Sequence, residues 1–573
     1  MGTALIACMP DVSQTTVIRN AAVFTADAAR SWASALAFRD GRLVAVGGDA
    51  EVADLVATAD EVVDADGALV TPGFIDAHMH PIQGGIERTR CDLSGATTTQ
   101  EYAELLRAYL ATPAGREGLW VLGAGWSMEA FPNGLPTKDL LDAIVPDRPA
   151  YLPNRDHHSG WANSRALELA GIDQYTPDPP GGVITRDGDG HPTGALHEAA
   201  MTLVERVLPP VTAEILAAGL QAAQEYAHGL GITGWQDAMV SVGPASLHEA
   251  YLAAQADGRL SARVAGALWF ERDEPDIEAQ VARHIASREQ ALAAVLPATA
   301  AGAVDETAAR YSAPTIKLML DGVAETFTAA MLDPYCVHDG HGGGIGLTFF
   351  EPEFVIEAVT ALDAAGFGIH FHALGDRAVR LALDAIAAAT ATNGSADRRH
   401  QLAHLQVVHP DDRPRFPLLG AAVNMQPLWG CHEPQMDELT LPFMGPERGQ
   451  EQYPFGDLFR YGATLVAGSD WPVSSPDPWA GIHVAVNRIG PGAPLGAEPL
   501  GVHHALPLGV ALAAYTAGSA WTTRLDDVAG SLVVGKAADV VLHDRNPFDL
   551  PTHEICETRV QRTYVGGRLV FQR

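Results

Sequence analysis

Gly73-Phe-Ile-Asp-Ala-His-Met-His80 is the stretch on which the fold turns. Side chains alternate between faces along a strand, so Asp76, His78 and His80 point one way while Ile75, Ala77 and Met79 point the other. Two imidazoles are thereby set side by side at the end of an apolar run. The spacing alone carries little weight, since 22 histidines in 573 residues give about one such pair by chance. His370 and His372 form a second pair, so context must decide.

The context is a rhythm. Strand-like runs GALVTPGFIDAH (67–78), APTIKLML (313–320), GFGIHFHAL (366–374), QLAHLQVV (401–408) and GATLVAGSD (462–470) alternate with helical stretches such as PEFVIEAVTALDAAG (352–366) and DRAVRLALDAIAAAT (376–390). Such alternation predicts parallel βα units and an α/β fold. Residues 71–520 span about 450 positions, whereas a (β/α)8 TIM barrel needs about 250. A large insertion is therefore expected at about 82–224, where QYTPDPPGGVITRDGDGHPTG (174–194) breaks the rhythm. The two ends are different in character. VIRNAAVFTAD, SALAFRDGRLVAVGG, AADVVLHD and RVQRTYVGGRLVFQR are short strands, with Asp40-Gly41 and Gly566-Gly567 as hairpin turns. An isolated hairpin is marginal in water, so residues 1–70 and 521–573 are expected to build one small composite β-sandwich domain.

Composition limits the partners. Lys and Arg number 37 against 70 Asp and Glu, a net charge of −33, and no basic run interrupts it. Such a surface repels phosphate backbones and anionic lipid, so neither nucleic acid nor membrane is an expected partner. With 47% hydrophobic and 19% charged residues the chain is globular. Cys8, Cys91, Cys336, Cys431 and Cys556 are scattered and lack CxxC spacing, which suits a reducing cytoplasm better than a disulfide framework. MGTALIACMPDV has no basic n-region, so no secretory signal is expected. The uncharged run His503–Thr523 contains Pro507, Gly509 and Gly518 and suits a buried helix. A small-molecule substrate is the expected partner, and subunit number is left open to a homo-oligomer.

Four further residues end apolar runs as His78 and His80 do. Lys317 interrupts APTIKLML on the face of Thr315 and Met319, and a lysine in a buried strand needs a partner or a changed charge. His372, His404 and Asp470 stand near the C-terminal ends of strands, the face of a barrel on which active sites are built. A single strand-end histidine is more often a hydrogen-bonded core residue, the reading kept for His400, His409, His432, His503 and His504. The set of six differs, because imidazole nitrogens with carboxylate oxygens are the ligand mix of Zn²⁺.

TPGFIDAHMHP, KLMLDG, HALGDRA, HLQVVHPDD, GSDWPV and GSLVVGKAADVVLHD, in that order, resemble the amidohydrolase superfamily in the branch of N-substituted formamide deformylase. The resemblance implies a (β/α)8 barrel with a binuclear metal centre, usually zinc, and a composite β-sandwich. It implies His78, His80, His372, His404 and Asp470 as ligands and Lys317 as a carboxylated lysine bridging two Zn²⁺. A carbamate replaces a repelled ammonium by a negative charge and two oxygens. The implied reaction is hydrolysis of a non-peptide C–N bond through a metal-bound hydroxide, with Asp470 as general base and proton donor to the amine. His158, in RDHHSGWANSRAL, resembles a family histidine that meets the substrate carbonyl or oxyanion, although a loop histidine capping the helix near Asn163 reads the same. Trp126, Trp161, Trp429 and Trp471 are candidates for an apolar wall around an N-substituent, and Asp376 for orienting His372 or starting the next helix. The same site could serve an ester, a carbamate, a cyclic amide or a mononuclear deamination.

Overall fold

Apolar runs buried on both faces form parallel strands. The computed structural model describes residues 14–300, 310–338 and 342–573. Eight strands make one sheet in chain order: β1 (Phe74–Met79), β2 (Ile232–Val240), β3 (Arg263–Trp269), β4 (Tyr311–Met319), β5 (Gly368–Ala373), β6 (Gln401–His404), β7 (Ala422–Met425) and β8 (Leu465–Ala467). Each ladder between neighbours is parallel. Helices Pro352–Ala364 and Asp376–Asn393 precede and follow β5, as the rhythm predicts. This is the expected (β/α)8 barrel.

Among the described residues no ladder joins β8 back to β1, and side chains close the gap. Ser469 N–H donates to both carboxylate oxygens of Asp76, at 3.1 and 3.2 Å. Asn424 Nδ2 on β7 donates to the Ala77 carbonyl on β1 at 2.9 Å. The close approach requires glycine at 468, where a Cβ would stand 2.5 Å from the His78 backbone nitrogen.

Strands from both ends of the chain share a six-stranded sheet in the order Arg568–Gln572, Val560–Val565, Val540–His543, Leu69–Pro72, Ala22–Phe24, Trp32–Ala33. A four-stranded sheet runs Arg42–Gly47, Ala35–Arg39, Thr15–Arg19, Glu61–Asp64. Ile18, Leu36 and Phe38 of the smaller sheet pack with Val23, Val70, Val540, Leu542 and Tyr564 of the larger in one buried cluster. Both expected hairpins form. Asp40 and Gly41 have φ of 51° and 76°, the left-handed pair that a tight two-residue hairpin turn needs.

A buried ion pair ties barrel to sandwich. Arg263, the first residue of β3, grips Asp539 with Nε–Oδ2 at 2.6 Å and a second bond at 3.0 Å, and both side chains are almost fully buried. Asp539 also accepts the N–H of Gly566 at 2.8 Å.

The chain divides into two compact units: the described residues of 1–79, 225–469 and 476–573, holding the barrel and both terminal sheets, and those of 80–224 and 470–475. The second unit has its own sheet, ordered Gly182–Arg186, Pro192–Glu198, Ser159–Ala162, Ala150–Pro153, Val121–Ala124, Cys91–Asp92. The run 503–523 folds into short helical segments, Leu508–Ala513, Ala514–Gly518 and Ser519–Thr522, and among the described residues no helix is long and apolar enough to cross a membrane. Residues 1–13, with Cys8 and the stretch read for a signal, lie outside the described residues.

Asp539→Ala would leave the Arg263 guanidinium buried without its carboxylate. We expect a loss of about 3–5 kcal/mol, measured by chemical denaturation, with part of it recovered when Arg263 is also replaced by Leu.

Candidate metal centre

The barrel interior gathers the four expected ligands of the first unit, His78, Lys317, His372 and His404, towards the C-terminal ends of its strands. Alternation along β1 turns Asp76 and His78 to the same face. The β4–β5 register sets Lys317 beside His370 and Met319 beside His372, and the β5–β6 register sets Ala373 beside His404. Lys317 Nζ lies 3.4 Å from His78 Nε2. The His404 ring stands 4.8 Å from that of His78 and 4.4 Å from that of His372, centroid to centroid. Trp429 lies flat against His404, with centroids 5.3 Å apart and planes 8° from parallel. All four of His78, Lys317, His372 and His404 are buried.

In the second unit His80 Nε2 lies 3.0 Å from Asp470 Oδ1. The His80 N–H donates to the Trp471 carbonyl at 2.7 Å, so the backbone after β1 holds the segment that carries the carboxylate. Strain marks this site and the end of β6. His404 has φ 76° and Asp470 φ 59°, a region that costs a side-chain-bearing residue of the order of 1–3 kcal/mol and that clusters at functional sites.

His158 Nδ1 lies 3.0 Å from Glu198 Oε1, and its N–H donates to Asp156 at 2.9 Å. The helix Ser164–Ala170 is capped by Asn163 itself, whose side chain accepts the Ala166 N–H, so His158 is not needed as a cap. Trp126 and Trp161 are both fully buried in the apolar cluster of this unit. Their indole N–H groups donate to the carbonyls of Leu152 and Thr137, each at 2.8 Å, so core packing occupies both rings. Trp471 follows Asp470 and is also buried.

Two residues have parts that the sequence did not assign. Asp321, inside KLMLDG, is fully buried and accepts the N–H groups of Ala330, Leu374 and Gly375 at 2.9, 3.1 and 2.9 Å. Its Oδ1 is 3.9 Å from His372 Nε2. Burial pushes its carboxyl up to about 7 against the downward pull of those three donors. Asp376 instead begins the helix Asp376–Asn393 and accepts the N–H of Leu332 at 2.8 Å. The other, His370, touches His78 directly, with Nε2 2.8 Å from Nδ1. Of the histidines read as structural, His400 meets Asp363 at 3.3 Å, His432 meets Asp437 at 2.6 Å and His503 meets Glu451 at 2.9 Å.

The donors suit a divalent cation of the zinc type: buried imidazole nitrogens, a carboxylate, and an amine that carboxylation would turn into an oxygen ligand. A model described as the Amidohydrolase family matches residues 61–571, and the chain belongs to that family of metal-dependent hydrolases acting on C–N bonds other than peptide bonds. It is 29% identical to Protein LONG AFTER FAR-RED 3 of Arabidopsis thaliana, over 97% of this chain and 91% of that one. It is 28% identical to N-substituted formamide deformylase of Arthrobacter pascens, over 97% of this chain and 98% of that one, a distant relation within the expected superfamily. An uncharacterized metal-dependent hydrolase from Pyrococcus horikoshii OT3 has the same fold, with a TM-score of 0.69 at 24% identity over 94% of this chain and 99% of that one.

Asp321→Ala would orphan three buried N–H donors at the ends of β4 and β5. At about 1–3 kcal/mol for each unsatisfied group, we expect a clear fall in melting temperature. Divalent-metal affinity, measured by chelator competition, should weaken with it as the His372 segment loosens.

Proposed function

We propose that the chain hydrolyses a non-peptide amide, with N-substituted formamides as the nearest precedent among its relatives, at a binuclear zinc centre held by His78, His80, Lys317, His372, His404 and Asp470. The observation that carries this reading is the burial of Lys317 with its Nζ 3.4 Å from His78 Nε2. An ammonium is costly there, and a carbamate on the same nitrogen would offer two oxygens to a pair of cations.

When bound, the cations would supply Lewis acidity and lower the pKa of water towards about 7. The rest falls to the chain. Asp470 takes the proton of the attacking water on its carboxylate and returns it to the departing amine nitrogen, a transfer typically worth about 10²- to 10⁴-fold. His80 Nε2, 3.0 Å from Asp470 Oδ1, stands close enough to share a cation with that carboxylate. His158, held through Nδ1 by Glu198, meets the carbonyl oxygen as charge develops on it. Trp429 and Trp471 offer aromatic surface to the N-substituent.

Zinc-loaded Asp470→Asn should stay folded, keep part of its metal and lose about 10²-fold or more of kcat. Near wild-type turnover in that variant would remove Asp470 from the proton transfer. Exhaustive chelation should abolish hydrolysis in a screen of formamides, acetamides and lactams, with esters and carbamates as the competing outcome. One metal per chain with an unmodified Lys317, read by elemental analysis and intact mass, would favour the mononuclear deaminase.

A further inference from the structure

The interior of the barrel holds a line of buried polar side chains between its strands. Their hydrogen bonds have a direction, because two backbone groups with fixed roles anchor the line, one at its start and one beside Asn424. The His404 N–H can only donate, and it donates to Gln426 Oε1 at 2.7 Å. Gln426 must then present its Nε2 onward, to Asn424 Oδ1 at 3.0 Å. The Asn424 Nδ2 donates to Gln401 Oε1 at 2.7 Å and also to the Ala77 carbonyl at 2.9 Å, which can only accept. The two anchors therefore demand the same orientation of Asn424. Gln401 Nε2 in turn donates to Gln236 Oε1 at 2.9 Å. Flipping any one amide would set donor against donor or acceptor against acceptor.

The line ends on His370, whose Nδ1 lies 2.9 Å from the same Gln236 oxygen. An oxygen accepts, so His370 Nδ1 carries a proton. In the neutral ring Nε2 is then an acceptor, and the group facing it is His78 Nδ1 at 2.8 Å. His78 must be the Nδ1–H tautomer, with its lone pair on Nε2, the atom that faces Lys317. His78, Gln236, His370, Gln401, Asn424 and Gln426 are all buried, so bulk water does not compete for these bonds.

We infer that Gln236, Gln401, Asn424 and Gln426 form a one-way amide relay that acts through His370 to lock His78 in the tautomer presenting its Nε2 lone pair for metal binding. His370 is thus a positioning residue, although it belongs to a His-x-His pair. The role of His78 as a ligand rests on the proposed zinc centre, whereas the tautomer follows from the bonds of the protein itself. The pattern matches a general property of metal sites, in which the partner of the remote ring nitrogen fixes the ligating one and its loss costs about 10- to 100-fold in affinity.

The test uses the full-length, metal-stripped protein labelled with ¹⁵N-histidine. Imidazole ¹⁵N shifts should show His78 protonated on Nδ1, and a wild-type His78 protonated on Nε2 overturns the relay without any variant. Gln236→Met removes the acceptor at similar volume. It should mix the His78 tautomers and weaken Zn²⁺ binding, read by chelator competition, by about 10- to 100-fold. Gln236→Glu restores an acceptor and should restore both readouts. A folded Gln236→Met protein with an unchanged tautomer and unchanged zinc affinity overturns the inference. If Gln236→Met fails to fold, the wild-type spectrum alone decides. A wild-type protein with the expected tautomer but no zinc binding would defeat the zinc centre and leave the relay standing.

Discussion

The Asp76 carboxylate holding the Ser469 N–H is the contact on which the barrel depends. A parallel sheet of eight strands with a missing last ladder would leave backbone donors and acceptors of β1 and β8 facing each other unpaired inside the protein. Asp76 meets this with a side chain, Asn424 adds a bond to Ala77, and Gly468 lets the two backbones approach. The same contact lies next to expected ligands in the sequence, since Asp76 is two residues before His78 and Ser469 one before Asp470. Closure of the barrel and the position of His78 are one constraint, because the Asp76 carboxylate also accepts the His78 N–H at 3.0 Å.

That constraint has a cost inside the barrel. Barrel cores are usually layered with branched aliphatic side chains, yet this one contains glutamines, asparagine, histidines and a lysine. Buried polar groups are tolerated where their bonds are made. Here the amides pair in sequence from backbone anchor to imidazole. The line is directional, and in the relay inferred above its direction makes one imidazole nitrogen different from the other.

The sequence made the barrel legible because its strands are apolar runs buried on both faces, and because turn chemistry such as Asp40-Gly41 acts locally. His78, His80 and Asp470 could be picked out since each ends such a run. His370 could not be assigned, because its meaning depends on the register that places it beside Lys317 and on a bond to a residue 292 positions away. Asp321 was hidden for a related reason: its three partners lie on backbone brought together only by packing. Trp126 and Trp161 were legible as aromatic residues near motif segments, but periodicity carries no information on which rings fill the core of an inserted unit.

The sandwich has a consequence for how the molecule is made. Its central ladder pairs Leu69–Pro72 with Val540–His543, and Thr71 Oγ1 meets His543 Nε2 at 3.0 Å across 472 residues of chain. During synthesis from the N-terminus, Leu69–Pro72 can pair early with Ala22–Phe24 on one side, whereas its other edge stays open until Val540–His543 emerges. The larger sheet therefore closes late, and a chain that stops short of Val540 keeps that single strand edge available for aggregation.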